Sequence, residues 1–157
     1  QRQMCIRDST ETIQITEGVF MTSEFTIAVH ALVYLNHKAQ LLSSEALAKN
    51  ICTNPARVRK IMTKLKKAGF VSTKEGAEGG YRMLKAPQEL NLLAVADAVE
   101  AKFVTASWHS GDTDMDCLVA SGMAGIMDRL CADLDGICRE RLEQIHLSDI
   151  DKMIFKT

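Results

Sequence analysis

The chain has 157 residues, enough for one well-packed domain or a small domain with an appended assembly element. Hydrophobic residues make up 46% and charged residues 25%, while aromatics reach only 5% against eight methionines, which favours a helical core over a sheet sandwich. The formal net charge of −1 is no argument for a polyanionic partner, and no apolar run reaches the length of a membrane span. Five cysteines with neither a secretion signal nor a tight CxxC pair point to free thiols in a reducing cytoplasm.

Residues 1–20 lack helical periodicity and an apolar stretch suited to a signal peptide, so we expect an extension outside the fold, with Met21 a natural start. From Ser23 to His37, Phe25, Ile27, Ala28, Ala31, Leu32, Val33 and Leu35 fill one helical face, and Ser23 can cap its start. Ser43 or Ser44 with Glu45 opens a second helix through Ile51. Asn54 at the N-cap and Pro55 at the first helical position then open a third, ending at Gly69. Phe70 to Thr73 and Tyr81 to Leu84 read as two strands joined by a turn containing Gly76, Gly79 and Gly80, where the glycines serve the hairpin's need for positive φ. Leu90 to Val99 reads as a short helix. Helix, helix, helix, hairpin is the order of a winged helix-turn-helix, which we assign to residues 21–100.

Residues 101–116 have no clear period and are expected to form a surface loop. From Cys117 to about His146 a long helical pattern resumes, carrying Val119, Met123, Ile126, Leu130, Leu134, Ile137, Leu142 and Ile145. A chain this small cannot easily bury such a helix, so a second copy is its natural cover. Ser148 and Asp149 start a last short helix, and residues 117–157 together are expected to dimerise. The fold class is therefore mainly α with a small β-hairpin: a winged helix-turn-helix followed by a long dimerisation helix.

Charge is sorted along this nearly neutral chain. Between Cys52 and Lys74 there are seven cations and no Asp or Glu, while Gly111 to the end holds ten acids against five bases. Within the third helix Val58, Ile61, Met62 and Leu65 recur at i, i+3, i+4, i+7, which buries one stripe and leaves the cations opposite. Such a face suits a phosphate backbone and its groove. A solvated helix face is the bland reading of the same row, and a module gripping an acidic protein is the competing function.

At Lys66-Lys67-Ala68-Gly69-Phe70-Val71-Ser72, then Gly76-x-x-Gly79-Gly80-Tyr81 and Pro87, the sequence resembles the Rrf2 family of bacterial transcription regulators, with similarity from about Met21 to Phe155. The resemblance implies a homodimeric, cytoplasmic repressor that binds a palindromic double-stranded DNA operator and answers to an effector the residues do not name. It places the helix from Pro55 to Ala68 in the major groove. Asn54, Ala56, Arg57, Arg59 and Lys60 lie near its entering end, where Arg suits guanine and Asn suits adenine. Lys64, Lys66 and Lys67 lie further along, towards phosphates.

The hairpin would be the wing. Relatives often carry Arg before its first Gly, whereas here Glu75 stands there, disfavoured in a minor groove unless Lys74 or Arg82 substitutes. Cluster-binding relatives place three close cysteines before the long helix. Only Cys117 matches, so no iron–sulfur cluster, metal or other cofactor is expected.

Cys131 and Cys138 read as small buried hydrophobes. Cys117, at a helix N-terminus, should have a lowered pKa and is the candidate redox-regulated thiol, oxidising to bridge Cys52 of the partner subunit. His30, His37, His109 and His146 read as structural, and Tyr34 and Trp108 as packing residues. A thiol enzyme built on Cys117 and His109 lacks an orienting acid and an oxyanion motif, so no catalytic residue is assigned.

Overall fold

The computed structural model describes residues 22–76 and 79–155, so the expected extension over 1–20 lies outside the described residues. In chain order the elements are α1 (Ser23–Lys38), α2 (Ser44–Ile51), α3 (Pro55–Lys67), β1 (Val71–Lys74), β2 (Gly80–Met83), α4 (Leu92–Ala98), α5 (Leu118–Glu143) and α6 (Leu147–Phe155). This is the expected architecture: mainly helical, with a winged helix-turn-helix and a long helix after it.

Side-chain caps set the helix starts. Ser43 Oγ accepts the Ala46 amide at 3.2 Å, Asn54 Oδ1 the Ala56 amide at 2.7 Å, and Asn91 Oδ1 the Ala94 amide at 2.8 Å. At α1 the cap is Thr22, one residue before the expected Ser23, whose hydroxyl instead accepts a hydrogen bond from Arg57. The third helix ends in a Schellman motif: Gly69 N–H donates to Lys66 O and Phe70 N–H to Leu65 O, both at 3.0 Å, with Gly69 at φ 76°.

The stripe read from the sequence is the buried one: Val58, Ile61, Met62 and Leu65 are fully enclosed. They pack with Leu32 and Leu35 of α1, Leu47 of α2 and Val95 of α4 in one continuous core. Each such aliphatic side chain contributes about 1.5–3 kcal/mol by leaving water.

β1 and β2 pair antiparallel, Val71 opposite Met83 and Lys74 opposite Gly80. The role expected of the glycines divides. Gly76 alone supplies the positive φ, at 105°, among the described turn residues. Gly79 and Gly80 are needed for close approach, because a Cβ would sit 2.5 Å from Lys74 O and from Leu42 O respectively.

Three expectations about the C-terminal part need correction. The long helix stops at Glu143, short of His146, because Leu92 N–H donates to Ile145 O (2.8 Å) and Leu147 N–H to Leu90 O (2.9 Å). These bonds pull residues 145–147 into a bridge with the head. The segment 101–116 has no regular structure, yet it is not all surface. Ala101 and Phe103 are buried, Phe103 meets Phe25 edge-on at 5.2 Å, and Asp135 Oδ1 accepts the amides of Phe103 (2.7 Å) and Val104 (3.1 Å). Trp108, read as a packing residue, is 76% exposed in this chain.

Candidate nucleic-acid interface

The outward side of α3 presents Ala56, Arg57, Arg59, Lys60, Lys66 and Lys67, all exposed, with Asn54 just before them. The Asn54 side-chain oxygen accepts the cap bond with one lone pair, while both donors of its amide nitrogen stay open toward a base edge. The helix supplies no acid of its own, but the fold brings acids to it, a feature the linear sequence conceals. Arg59 Nη2 lies 3.4 Å from Glu45 Oε1 of α2, and Lys60 Nζ lies 3.0 Å from Glu24 Oε1 of α1.

Lys64 differs from its neighbours. Its Nζ donates to Glu24 Oε2 at 3.0 Å, Glu100 Oε2 at 3.1 Å and the Val99 carbonyl at 3.2 Å, and its side chain is only 25% exposed. That geometry makes it a clasp joining α1, α3 and the end of α4, and it weighs against the phosphate contact read from the sequence. Hydrogen bonds from Lys60 and then Lys64 hold the Glu24 carboxyl below its ordinary range, and the same network raises Lys64.

The wing stands beside α2. Lys74, Glu75 and Arg82 are exposed on it, and a cleft of about 450 Å³ runs between Ser43, Ser44 and Glu45 on one side and Lys74, Gly80 and Tyr81 on the other. Tyr81 is half-buried there, and burial raises its phenol pKa while the nearby Arg59 opposes the rise. Glu75 is exposed just after β1 and lines the same cleft.

Two of the thiols are exposed at helix ends. Cys52 is exposed at the left-handed end of α2 (φ 58°), and Cys117 is exposed at the N-cap of α5. The amides of Ala120 and Val119 face the Cys117 sulfur and lower its pKa, although neither closes a capping bond of normal geometry. Cys131 and Cys138 are half-buried, and only Cys138 packs against the core. Among the described residues no three His, Cys, Asp or Glu side chains stand close enough to share a metal ion. At 1.5 Å per residue Cys131 lies about 21 Å along the axis from Cys117. The described thiols are therefore not gathered at one point, as the several thiolates of an iron–sulfur cluster would be.

The histidines have ordinary partners: His30 with Asn50 (3.0 Å), His37 stacked on Phe155 (4.7 Å), and His109 with Asp128 (2.8 Å).

A capped, amphipathic third helix with an outward cationic row, flanked by a hairpin, is the arrangement of the winged helix-turn-helix class. The family profile that matches, over residues 21–152, is Rrf2, described as an iron-dependent transcriptional regulator, and the chain belongs to that family. It is 25% identical over 135 residues to YwnA of Bacillus subtilis (strain 168), assigned by name to the HTH-type transcriptional regulators, covering 86% of this chain and 99% of YwnA. Among crystal structures it is similar to a protein of Lactobacillus plantarum described as a transcriptional regulator, with TM-score 0.73 and 23% identity over 83% of this chain and 89% of that one. It also resembles CymR, the global cysteine regulator of B. subtilis, with TM-score 0.60 and 16% identity over 85% and 96% of the two chains. Among the described residues, no helix is long and apolar enough to cross a membrane.

Proposed function

We propose that the chain is a homodimeric repressor that reads a palindromic DNA operator with α3 and is regulated without an iron–sulfur cluster. The observation that carries the reading is the outward row of Arg57, Arg59, Lys60, Lys66 and Lys67 on a helix whose other side is locked into the core. A rigid helix with cations on one face can enter a major groove and keep its register there. Ala56 and Arg57, nearest the N-terminal end, are the candidates for base edges. Lys66, Lys67, Lys74 and Arg82 are the candidates for phosphates.

Dimerisation through α5 is supported by its exposure: none of its 26 residues is buried, and Ile126, Leu130, Leu134 and Ile137 form an apolar stripe between 43% and 62% exposed. Two copies joined there would set two α3 helices about one turn of duplex apart. Control by oxidation is supported by the exposed, acidified Cys117 thiol, with Cys52 of the partner subunit as the second sulfur; an external oxidant would accept two electrons as the two thiols lose their protons. Recovery of bound sequences from a random duplex pool, with and without peroxide, tests the whole reading. A palindromic consensus lost on oxidation is expected. Recovery of no consensus would overturn operator reading, and a consensus indifferent to peroxide would overturn the thiol switch.

A further inference from the structure

Two carboxylates from two different helices converge on the cationic row. Glu24 spans one turn of α3, taking Lys60 on Oε1 and Lys64 on Oε2, each at 3.0 Å, and Glu45 faces Arg59 at 3.4 Å. Three cations of the row therefore hold a carboxylate before any duplex arrives. A phosphate that takes Arg59 or Lys60 must break that pair or share the cation with it, and either way the carboxylate remains beside it as a like charge. The Arg59–Glu45 pair is exposed on both sides and Lys60 is exposed on its own, although Glu24 is half-buried, so both cations can exchange partners.

We propose that Glu24 and Glu45 are affinity-limiting residues, internal competitors for the DNA backbone that hold down binding to duplex of any sequence. Sequence-independent binding draws its free energy from cations meeting phosphates and from the counterions this releases. Neutralising part of the row lowers that shared contribution on every duplex, so only sites that add base-edge contacts retain the protein. Lys64, with three acceptors, is withdrawn from the backbone altogether, whereas Arg59 and Lys60 are withheld conditionally. The inference rests on reading α3 as the DNA-contacting helix.

Glu45→Gln and Glu24→Gln test it, with binding to a labelled duplex of arbitrary sequence followed by anisotropy over a salt series from roughly 50 to 200 mM. Each variant is expected to bind about two- to ten-fold tighter at the low-salt end, with a log–log salt slope steeper by about one for the cation it frees. Glu45 is exposed and its replacement leaves the core intact; a thermal melt confirms the fold of both variants. Wild-type binding with a normal slope that neither variant changes overturns this inference alone. Weaker binding by Glu45→Gln also overturns it, by making Glu45 a contact residue. A wild-type chain that binds no duplex at any salt removes the interface and the inference together.

Discussion

The Tyr81 amide donates to the Leu42 carbonyl at 2.8 Å, and the Leu42 amide returns a bond to the Tyr81 carbonyl at 3.0 Å. This reciprocal bridge ties the second wing strand to the turn that starts α2, joining wing and helix-turn-helix through the backbone. Gly80 is adjacent to it, and its missing Cβ is what lets the backbones meet.

Gly80→Ala is accordingly expected to destabilise the fold. A methyl group 2.5 Å from the Leu42 carbonyl oxygen has backbone on the far side, which cannot rotate away. A loss of about 1–3 kcal/mol, the range for overpacking a fixed site, is expected in urea unfolding. An unchanged midpoint would show that the bridge yields freely and that the wing is not fixed to α2.

Gly69 presents the opposite case, open space with a conformational constraint. Its φ of 76° suits a residue without Cβ, and nothing lies within 4 Å of where a Cβ would be. Gly69→Ala should cost about 1 kcal/mol through backbone strain alone. The same urea measurement checks this, and a loss near that of Gly80→Ala would mean that the Schellman geometry at Leu65 and Phe70 had been broken as well.

The core side of α3 was legible because Val58, Ile61, Met62 and Leu65 follow the helical period without interruption, and the Asn54-Pro55 start was legible because cap chemistry is local. What surrounds the row was not. Glu24 is 36 residues before Lys60, and Glu100 is 36 residues after Lys64, so an acid-free stretch of sequence became a partly neutralised surface in space. The early end of α5 was hidden for a similar reason, since bonds with Leu90 and Leu92 compete for residues 145–147 across the fold. Phe103 lay in a segment without period, and a single aromatic anchor leaves no repeat to detect. The site residues were named from charge and family pattern, and only the coordinates separate the half-buried, clasped Lys64 from the exposed Lys66 and Lys67.

Stability should depend on acid through Glu24. Hydrogen bonds from Lys60, then Lys64, lower its folded pKa below the ordinary value of 4.5. A depressed carboxylate contributes stability that is present above pH 4.5 and disappears as pH falls through the folded value. The wild-type denaturation midpoint should therefore exceed that of Glu24→Gln at neutral pH and converge on it below the folded pKa. Lys64, raised by Glu24 and then Glu100, acts at the other end, its share present below its ordinary 10.5 and lost above the raised value. Parallel pH profiles for the two proteins would show that the Glu24 pairs carry no stability.

Thiol reactivity should single out Cys117. Its sulfur is exposed, and the amides of Ala120 and Val119 lower its pKa from the ordinary 9.0, so its thiolate fraction near neutral pH is increased. In a Cys5→Ser background, alkylation followed by mass spectrometry should label Cys117 before the half-buried Cys131 and Cys138. Cys117→Ser should remove the fast phase. Labelling led by Cys52 would shift the candidate switch to the α2–α3 turn.

The apolar stripe of α5 makes the strongest demand for a partner. Ile126, Leu130, Leu134 and Ile137 run about 16 Å along the helix, at 1.5 Å per residue, and a patch of that kind left in water marks an interaction surface. Aspartates at Leu130 and Ile137 would place charge at the centre of a paired stripe while leaving the head core untouched. Light scattering on the wild type should give twice the chain mass, and the Leu130→Asp/Ile137→Asp variant should give one chain with an unchanged helical spectrum. DNA affinity should fall steeply with the loss of the dimer, because one head makes half the contacts and no longer gains from the linked second site. A variant that stays dimeric would move the subunit contact away from this stripe.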